Sequence, residues 1–246
     1  MYTAALITGG TRGIGRAIAE SIAPMHKNLC LVYQNNEDSA VATKNAIEST
    51  TDTKVFLYKF DLSNLHDIEG LVEQIYADVG EISTLVNNAG VILAPGGLME
   101  QSISDFERSM AINFTSVAIL TRLIVPKMIE NNHGRIINLS STYAINGAVP
   151  VLSYTCAKSA VTTLTTALAA ELGQYSITVN SIAPGNIDTD MTSGAGQDII
   201  DWAVSTTPVG RLGKAEEVGK AAKYLIDSPF ITGTTQVIDG GQILKI

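Results

Sequence analysis

The sequence predicts an α/β protein built on a single, doubly wound parallel sheet with helices on both faces. Short apolar runs of strand length alternate with longer stretches of helical periodicity along the 246 residues. Tight turns cannot join parallel strands, so this rhythm implies helical crossovers and a sheet covered on both sides. The residues that carry chemistry follow the strands rather than precede them, which is where an open α/β sheet forms its crevice.

Taken in order, Ala4 to Thr8 is the first apolar run, and helical spacing begins near Arg12. Leu29 to Tyr33 reads as the second strand, followed by a helix from about Glu37. Val55 to Lys59 is the third strand, with a helix from about Asn64, and Thr84 to Asn87 is the fourth. A long helix is expected from Ser104 to Glu130, then a strand over Arg135 to Leu139 and a helix from Val151. Thr178 to Ala183 is the sixth strand, a helix begins near Glu216, and Gln236 to Ile238 closes the sheet. Ile187 to Thr207, with Gly194 and Gly196 inside it, breaks the rhythm and reads as a substrate lid.

That order sorts the unusual residues to one end of the sheet. Gly9, Asn35, Asp61, Asn88, Ser141 and Pro184-Gly185 each follow a strand, whereas His133 and Gly134 precede one and belong to the opposite end. The glycines Gly9, Gly13 and Gly15 do not have G-x-G-x-x-G spacing, so a longer turn is implied. Its backbone N–H groups and the helix N-terminus still make an anion site suited to a pyrophosphate, and Gly15 lets helix and strand approach closely. A capped turn would leave the same glycines, so position after the first strand is what favours the anion site.

Tyr154 and Lys158 stand four apart at the start of a helical run and project from one face. Lowering a phenol from a pKa of about 10 to near neutrality takes roughly 4 kcal/mol. A unit charge about 4 Å away, at an effective dielectric of about 20, contributes roughly that much. The pair is thus a candidate acid/base, although a solvated helix face can carry the same two residues. Cys156 lies about 200° around the helix from Tyr154 and is expected to point away, and Cys30 reads as a small hydrophobe in a strand. His26, His66 and His133 are expected at helix ends or turns, and no metal site is expected among them.

Composition bounds the remaining classes. A hydrophobic fraction of 46% gives ample core, and no linker or repeat divides the chain, so one domain over 1-246 is expected. The net charge of −8, with sixteen scattered Lys and Arg, argues against nucleic acid. No signal-like start is seen and no uninterrupted apolar segment approaches bilayer length, so the expectation is a cytoplasmic protein without a membrane partner.

The stretches TGGTRGIG from Thr8 to Gly15, NNAG from Asn87 to Gly90, Asn113, Ser141 thirteen before Tyr154, and YTCAK from Tyr154 to Lys158 occur in the order of the short-chain dehydrogenase/reductase family. The chain resembles that family over essentially its whole length. The resemblance implies a Rossmann-type fold and a nicotinamide cofactor. It implies that Tyr154 is the acid/base, that Lys158 orients the ribose and lowers the tyrosine pKa, that Ser141 holds the substrate carbonyl, and that Asn113 supports a proton relay. Cofactor contacts are expected from Gly9, Thr11, Arg12, Gly13, Ile14 and Gly15, from Gln34, Asn35, Asp61 and Leu62, and from Asn88, Ala89 and Gly90. Tyr154, Lys158, Pro184, Gly185, Ile187 and Thr189 complete that set.

The phrases IDTDMT, PVGRLGKAEEV and SPFITGTTQVIDGG look most like 3-oxoacyl-acyl-carrier-protein reductases, and they also occur in alcohol, polyol and general ketone reductases. The leading expectation is an NADPH-dependent reductase of a 3-oxoacyl thioester or similar ketone. The alternatives are a dehydrogenase of a small alcohol or polyol and, well behind, a nucleotide-binding protein without catalysis. NADP(H) is expected because Gln34, Asn35 and Asn36 stand where NAD enzymes place an acid, while Arg12 resembles the basic residue of NADP-preferring relatives. Docking of an acyl carrier protein is in doubt, because places where arginines are expected near the active-site mouth hold Asn132 and Tyr175. The apolar circumference of the Ser104 to Glu130 helix and of the helix from Val151 predicts a homo-oligomer, by resemblance a homotetramer.

Overall fold

The computed structural model describes residues 2–93, 95–148, 150–194 and 196–244. Ala195, inside the expected lid 187–207, and Met1, Lys245 and Ile246, at the ends of the expected 1–246 unit, lie outside the described residues. In chain order the main elements are β1 (Tyr2–Thr8), α1 (Gly13–Ile22), β2 (His26–Tyr33), α2 (Glu37–Thr50), β3 (Lys54–Lys59), α3 (Ile68–Val79) and β4 (Thr84–Asn87). There follow α4 (Ile103–Met110), α5 (Ser116–Glu130), β5 (Gly134–Leu139), α6 (Tyr143–Asn146) and α7 (Leu152–Leu172). The chain ends with β6 (Ile177–Pro184), α8 (Asp190–Ser193), α9 (Gln197–Thr206), α10 (Ala215–Asp227) and β7 (Thr235–Ile238).

The seven strands form one sheet in the order β3-β2-β1-β4-β5-β6-β7, with every neighbouring pair parallel. The doubly wound α/β architecture predicted from the strand and helix rhythm is therefore the observed one. Alternate strand residues serve opposite layers, as the period of two requires. Ala5, Ile7, Leu29, Leu31, Ile137 and Leu139 pack with α1, α2 and α10 on one face. Leu6, Cys30, Val32, Leu85, Ile136 and Val179 pack with α3, α5 and α7 on the other.

Several boundaries differ from expectation by a few residues, three of them for visible local reasons. β1 starts at Tyr2 and β2 at His26, because those residues continue the parallel register and their rings stack with centroids 5.0 Å apart. His26, expected in a turn, is therefore a buried strand residue. The helix expected from Ser104 to Glu130 starts at Ile103 and is interrupted by a π turn over Ala111–Thr115, a local widening common at functional sites. The stretch Ile187 to Thr207 is largely helical, holding α8 and α9.

Ile103–Glu130 is long and apolar enough by length and composition to cross a membrane, although charged and polar residues interrupt its apolar runs, as expected. In this fold Val117, Leu120, Ile124 and Met128 of α5 are buried in the core facing α3 and α7. Ile119, Leu123, Val125 and Ile129 are only partly covered, as are Leu164 and Leu168 on α7.

Candidate active site

The strand order reverses between β1 and β4, so the loops that leave them part and open a crevice at the carboxyl end of the sheet. Those two loops are bonded to each other. The Thr8 hydroxyl accepts from the N–H groups of Asn88 and Ala89, both at 3.0 Å, and the Asn88 amide donates to the carbonyls of Thr8 at 2.8 Å and Gly9 at 3.1 Å. Gly9 has φ +63°, a left-handed turn that glycine adopts without strain. A Cβ at Gly15 would run into the Gly9 carbonyl and the Asn88 amide, so only glycine lets α1 start this close to β1. No side chain caps α1, and its first-turn N–H groups stand at the crevice rim as an anion site would require. Thr11 is buried and its carbonyl accepts from Thr43 at 2.9 Å, fixing the turn from α2.

The rim continues along β2 and β3. Gln34 donates to the Asp61 carboxylate at 2.8 Å, Asn35 is exposed, and Leu62 is buried beside them. Burial would raise the Asp61 pKa, but the bonds from Ser63 and Gln34 and the charge of Arg108 outweigh it and hold the carboxyl below its ordinary range. Asn36 is spent on capping α2, accepting from Ser39 N–H at 2.9 Å. On the far side, Pro184 accepts from Thr142 N–H at 3.0 Å and Gly185 donates to Ile238 at 2.9 Å. Ile187 is buried and bridges to Gly213, while Thr189 lies against Gly13. Most of the cofactor-side residues singled out in the sequence thus lie on turns and loops that follow the strands, with Gly13, Ile14 and Gly15 in the first turn of α1, Pro184 at the end of β6, and Tyr154 and Lys158 on α7.

Ser141, Tyr154, Lys158 and Asn113 meet at the floor. Ser141 is buried just past the end of β5, where its Oγ accepts from Tyr143 N–H at 3.2 Å and acts on the Tyr154 phenol. Lys158 is 3% exposed, with Nζ 2.6 Å from the Leu139 carbonyl and 5.6 Å from the centroid of the Tyr154 ring. Asn113, in the π turn, is fully buried: its Oδ1 accepts from Val91 N–H at 2.9 Å, and its Nδ2 donates to the carbonyls of Val91 and Ser109, both at 2.9 Å. A Cβ at Gly90 would stand 2.9 Å from Asn113 Oδ1 and 3.3 Å from Lys158 Nζ, so the Asn87–Gly90 loop is what brings Asn113 and Lys158 together.

The electrostatics correct one expectation. Burial pushes the Tyr154 phenol up to about 12, the Ser141 hydroxyl opposing this and Tyr143 adding to it, instead of lowering it toward neutrality. Burial likewise lowers the Lys158 ammonium to about 8. Lys158 is turned to the Leu139 carbonyl, and the loss of hydration sets the direction of both shifts.

Two further corrections concern the surroundings. Asn132 and Tyr175 precede β5 and β6, so they lie at the amino end of the sheet, away from the crevice mouth of the same chain. Arg135 is buried, bonded to the carbonyls of Ile226, Gly134 and Ser176, and does not present a docking charge. Sequence reasoning also missed the polar layer beneath the site, where the Asn87 amide donates to Asn138 Oδ1 at 2.8 Å and the Asn138 amide to Thr165 at 2.9 Å. Two asparagines in otherwise apolar strands were the available signal. Cys156 is exposed, as its helical angle predicts, and Cys30 is buried with its thiol pushed up to about 12.

A family model described as enoyl-(acyl carrier protein) reductase matches residues 9–242. Nodulation protein G of Azospirillum brasilense is 36% identical over 242 residues, covering 96% of each chain. A 3-oxoacyl-acyl-carrier-protein reductase of Haemophilus influenzae is 36% identical over 243 residues, covering 98% of each. Among solved structures, levodione reductase superposes with a TM-score of 0.92 at 29% identity over 98% of each chain. A short-chain dehydrogenase/reductase from Serratia marcescens does so with 0.91 at 34% identity, again over 98% of each. With these relatives and this crevice, the chain belongs to the short-chain dehydrogenase/reductase family and is an oxidoreductase of carbonyl and hydroxyl groups that uses a nicotinamide cofactor.

Proposed function

We propose that this protein reduces an apolar ketone, of the 3-oxoacyl thioester class, with NADPH. The observation that carries the reading is the buried Lys158 set beside the Tyr154 ring, with the Ser141 hydroxyl acting on the same phenol and the glycine turn on the same crevice. A bound nicotinamide supplies the hydride. Ser141 and Tyr154 then hold the carbonyl oxygen between two hydroxyls, and Tyr154 delivers the proton as negative charge develops there. A phenol with a pKa near 12 stays protonated across physiological pH, which suits an acid in the direction of reduction. Lys158 anchors the ribose side of the pocket, and Asn113 acts as a positioning residue that fixes the loop through Val91.

Substrate class is supported by what rims the crevice. The segments that follow β4, β5 and β6 expose Leu98, Met99, Ile145, Met191, Ile199 and Trp202, an apolar border suited to an acyl chain. Ile187 to Thr207 would close over it. The chain's −8 charge opposes an acidic carrier protein, and neither Arg135 nor the amino-end positions Asn132 and Tyr175 relieve that repulsion at the mouth. Small thioesters are therefore the expected substrates, with little gain from a whole carrier protein. The partly covered stripes on α5 and α7 support a homotetramer as the working assembly.

The test is a panel of ketones and alcohols assayed with both cofactors. Acetoacetyl thioesters with NADPH are expected to give the highest kcat/KM. Arg12→Ala is expected to lower kcat/KM for NADPH by about tenfold or more while leaving NADH nearly unchanged, since it removes a charge-assisted bond to the 2′-phosphate. Equal kcat/KM for the two cofactors in the unmodified protein would overturn the NADPH assignment. Preference for a polyol would overturn the substrate class.

A further inference from the structure

Arg12 stands at the crevice rim with a partner already in place. Its Nη1 lies 3.4 Å from Oδ2 of Asp190, the first residue of α8. The pair joins two segments far apart in sequence, the glycine turn before α1 and the first helix of the segment over the crevice. A second contact accompanies it, because a Cβ at Gly13 would stand 3.3 Å from Cγ2 of Thr189, the residue next to Asp190. Both charged side chains are mostly exposed, at 66% and 79%, so the pair can open without unpacking the core.

A guanidinium keeps its proton, and a carboxylate and a phosphate both engage it through the same N–H edge. We propose that Asp190 is a specificity-determining residue, a carboxylate that competes with the cofactor's 2′-phosphate for Arg12. The proposal rests on the reading of Arg12 as the partner of that phosphate. When NADPH binds, Arg12 must leave or share Asp190, and α8 loses a tie to the glycine turn. NADH carries a 2′-hydroxyl there, so the pair persists and the tie is kept. Asp190 thus moderates the preference for NADPH and couples the position of α8 to which cofactor is present.

An exposed pair of this kind sits at the low end of ion-pair strength, so releasing Arg12 is expected to change affinity by about two- to fivefold. The experiment measures dissociation constants for NADPH and NADH by fluorescence titration in the unmodified protein, Asp190→Asn, Arg12→Ala and the double variant. Asp190→Asn should tighten NADPH by that factor, leave NADH unchanged or slightly weaker, and do nothing in the Arg12→Ala background. The gain should shrink with added salt. An unchanged or weaker NADPH constant in Asp190→Asn overturns the proposal. So does a gain of the same size without Arg12, which would assign the effect to direct repulsion between carboxylate and phosphate. If Arg12→Ala weakens both cofactors alike, the phosphate reading itself fails. If Arg12→Ala is selective and Asp190→Asn is silent, only the competition fails.

Discussion

Replacing Tyr154 by phenylalanine is expected to lower turnover by two to four orders of magnitude while leaving cofactor binding almost unchanged. The span is what a positioned general acid contributes to a proton-transfer step. The substitution keeps the ring and removes only the hydroxyl, on which Ser141 acts. Lys158 retains its bond to the Leu139 carbonyl, so its side of the pocket stays in place. Loss in kcat and kcat/KM together, with an unchanged cofactor dissociation constant, is the signature of an interaction made in the transition state. Steady-state rates beside a cofactor titration check it. Residual activity above about a tenth of the unmodified rate would place the acid on another group, and a matching loss of cofactor affinity would mean that the hydroxyl holds the pocket together instead.

Much of this site was legible because strand ends are legible. Once β1, β4, β5 and β6 were recognised as apolar runs, the residues that follow them were bound to share one crevice, whatever the loops did. Gly15 was legible for the same reason, since a helix starting that close to a strand leaves no room for a Cβ. The sign of the Tyr154 shift was not legible. Four-residue spacing says that Lys158 is near, but it does not say that its ammonium turns to Leu139 or that burial sets the direction of the phenol's shift. Resemblance places Asn132 and Tyr175 near the mouth, whereas strand direction sends residues before a parallel strand to the far end of the same chain. The π turn at Asn113 leaves no trace in apolar periodicity, because one wide turn shifts the pattern by a single position. His26 escaped because its environment is made by Tyr2 and Thr84, residues distant in sequence.

That buried histidine carries the second large effect. His26 is 1% exposed, with Nδ1 3.0 Å from the Ile22 carbonyl and Nε2 2.8 Å from the Thr84 hydroxyl. The arrangement suits a neutral ring that donates from Nδ1 to Ile22 and accepts at Nε2 from Thr84. Burial lowers its pKa from 6.5 to about 4, the bond to Ile22 opposing the shift only in part. In the unfolded chain the ring takes its proton near 6.5, whereas the folded chain resists until about 4. Between those values the unfolded state binds more protons, so stability rises with pH across the window and is lost as pH falls through it. The full shift corresponds to about 3 kcal/mol, a large part of the stability of an ordinary domain. Denaturant unfolding from pH 8 to pH 4 should therefore show a steep decline beginning near 6.5. In His26→Asn, which keeps a polar side chain that does not titrate, the decline over the same window should be smaller by about that amount. A lower baseline in the variant would reflect lost packing and would not alter the comparison, since the slope is what reports the proton. Parallel pH profiles for the two proteins would mean that His26 is hydrated or charged in the folded state, and that the acid sensitivity of the fold lies elsewhere.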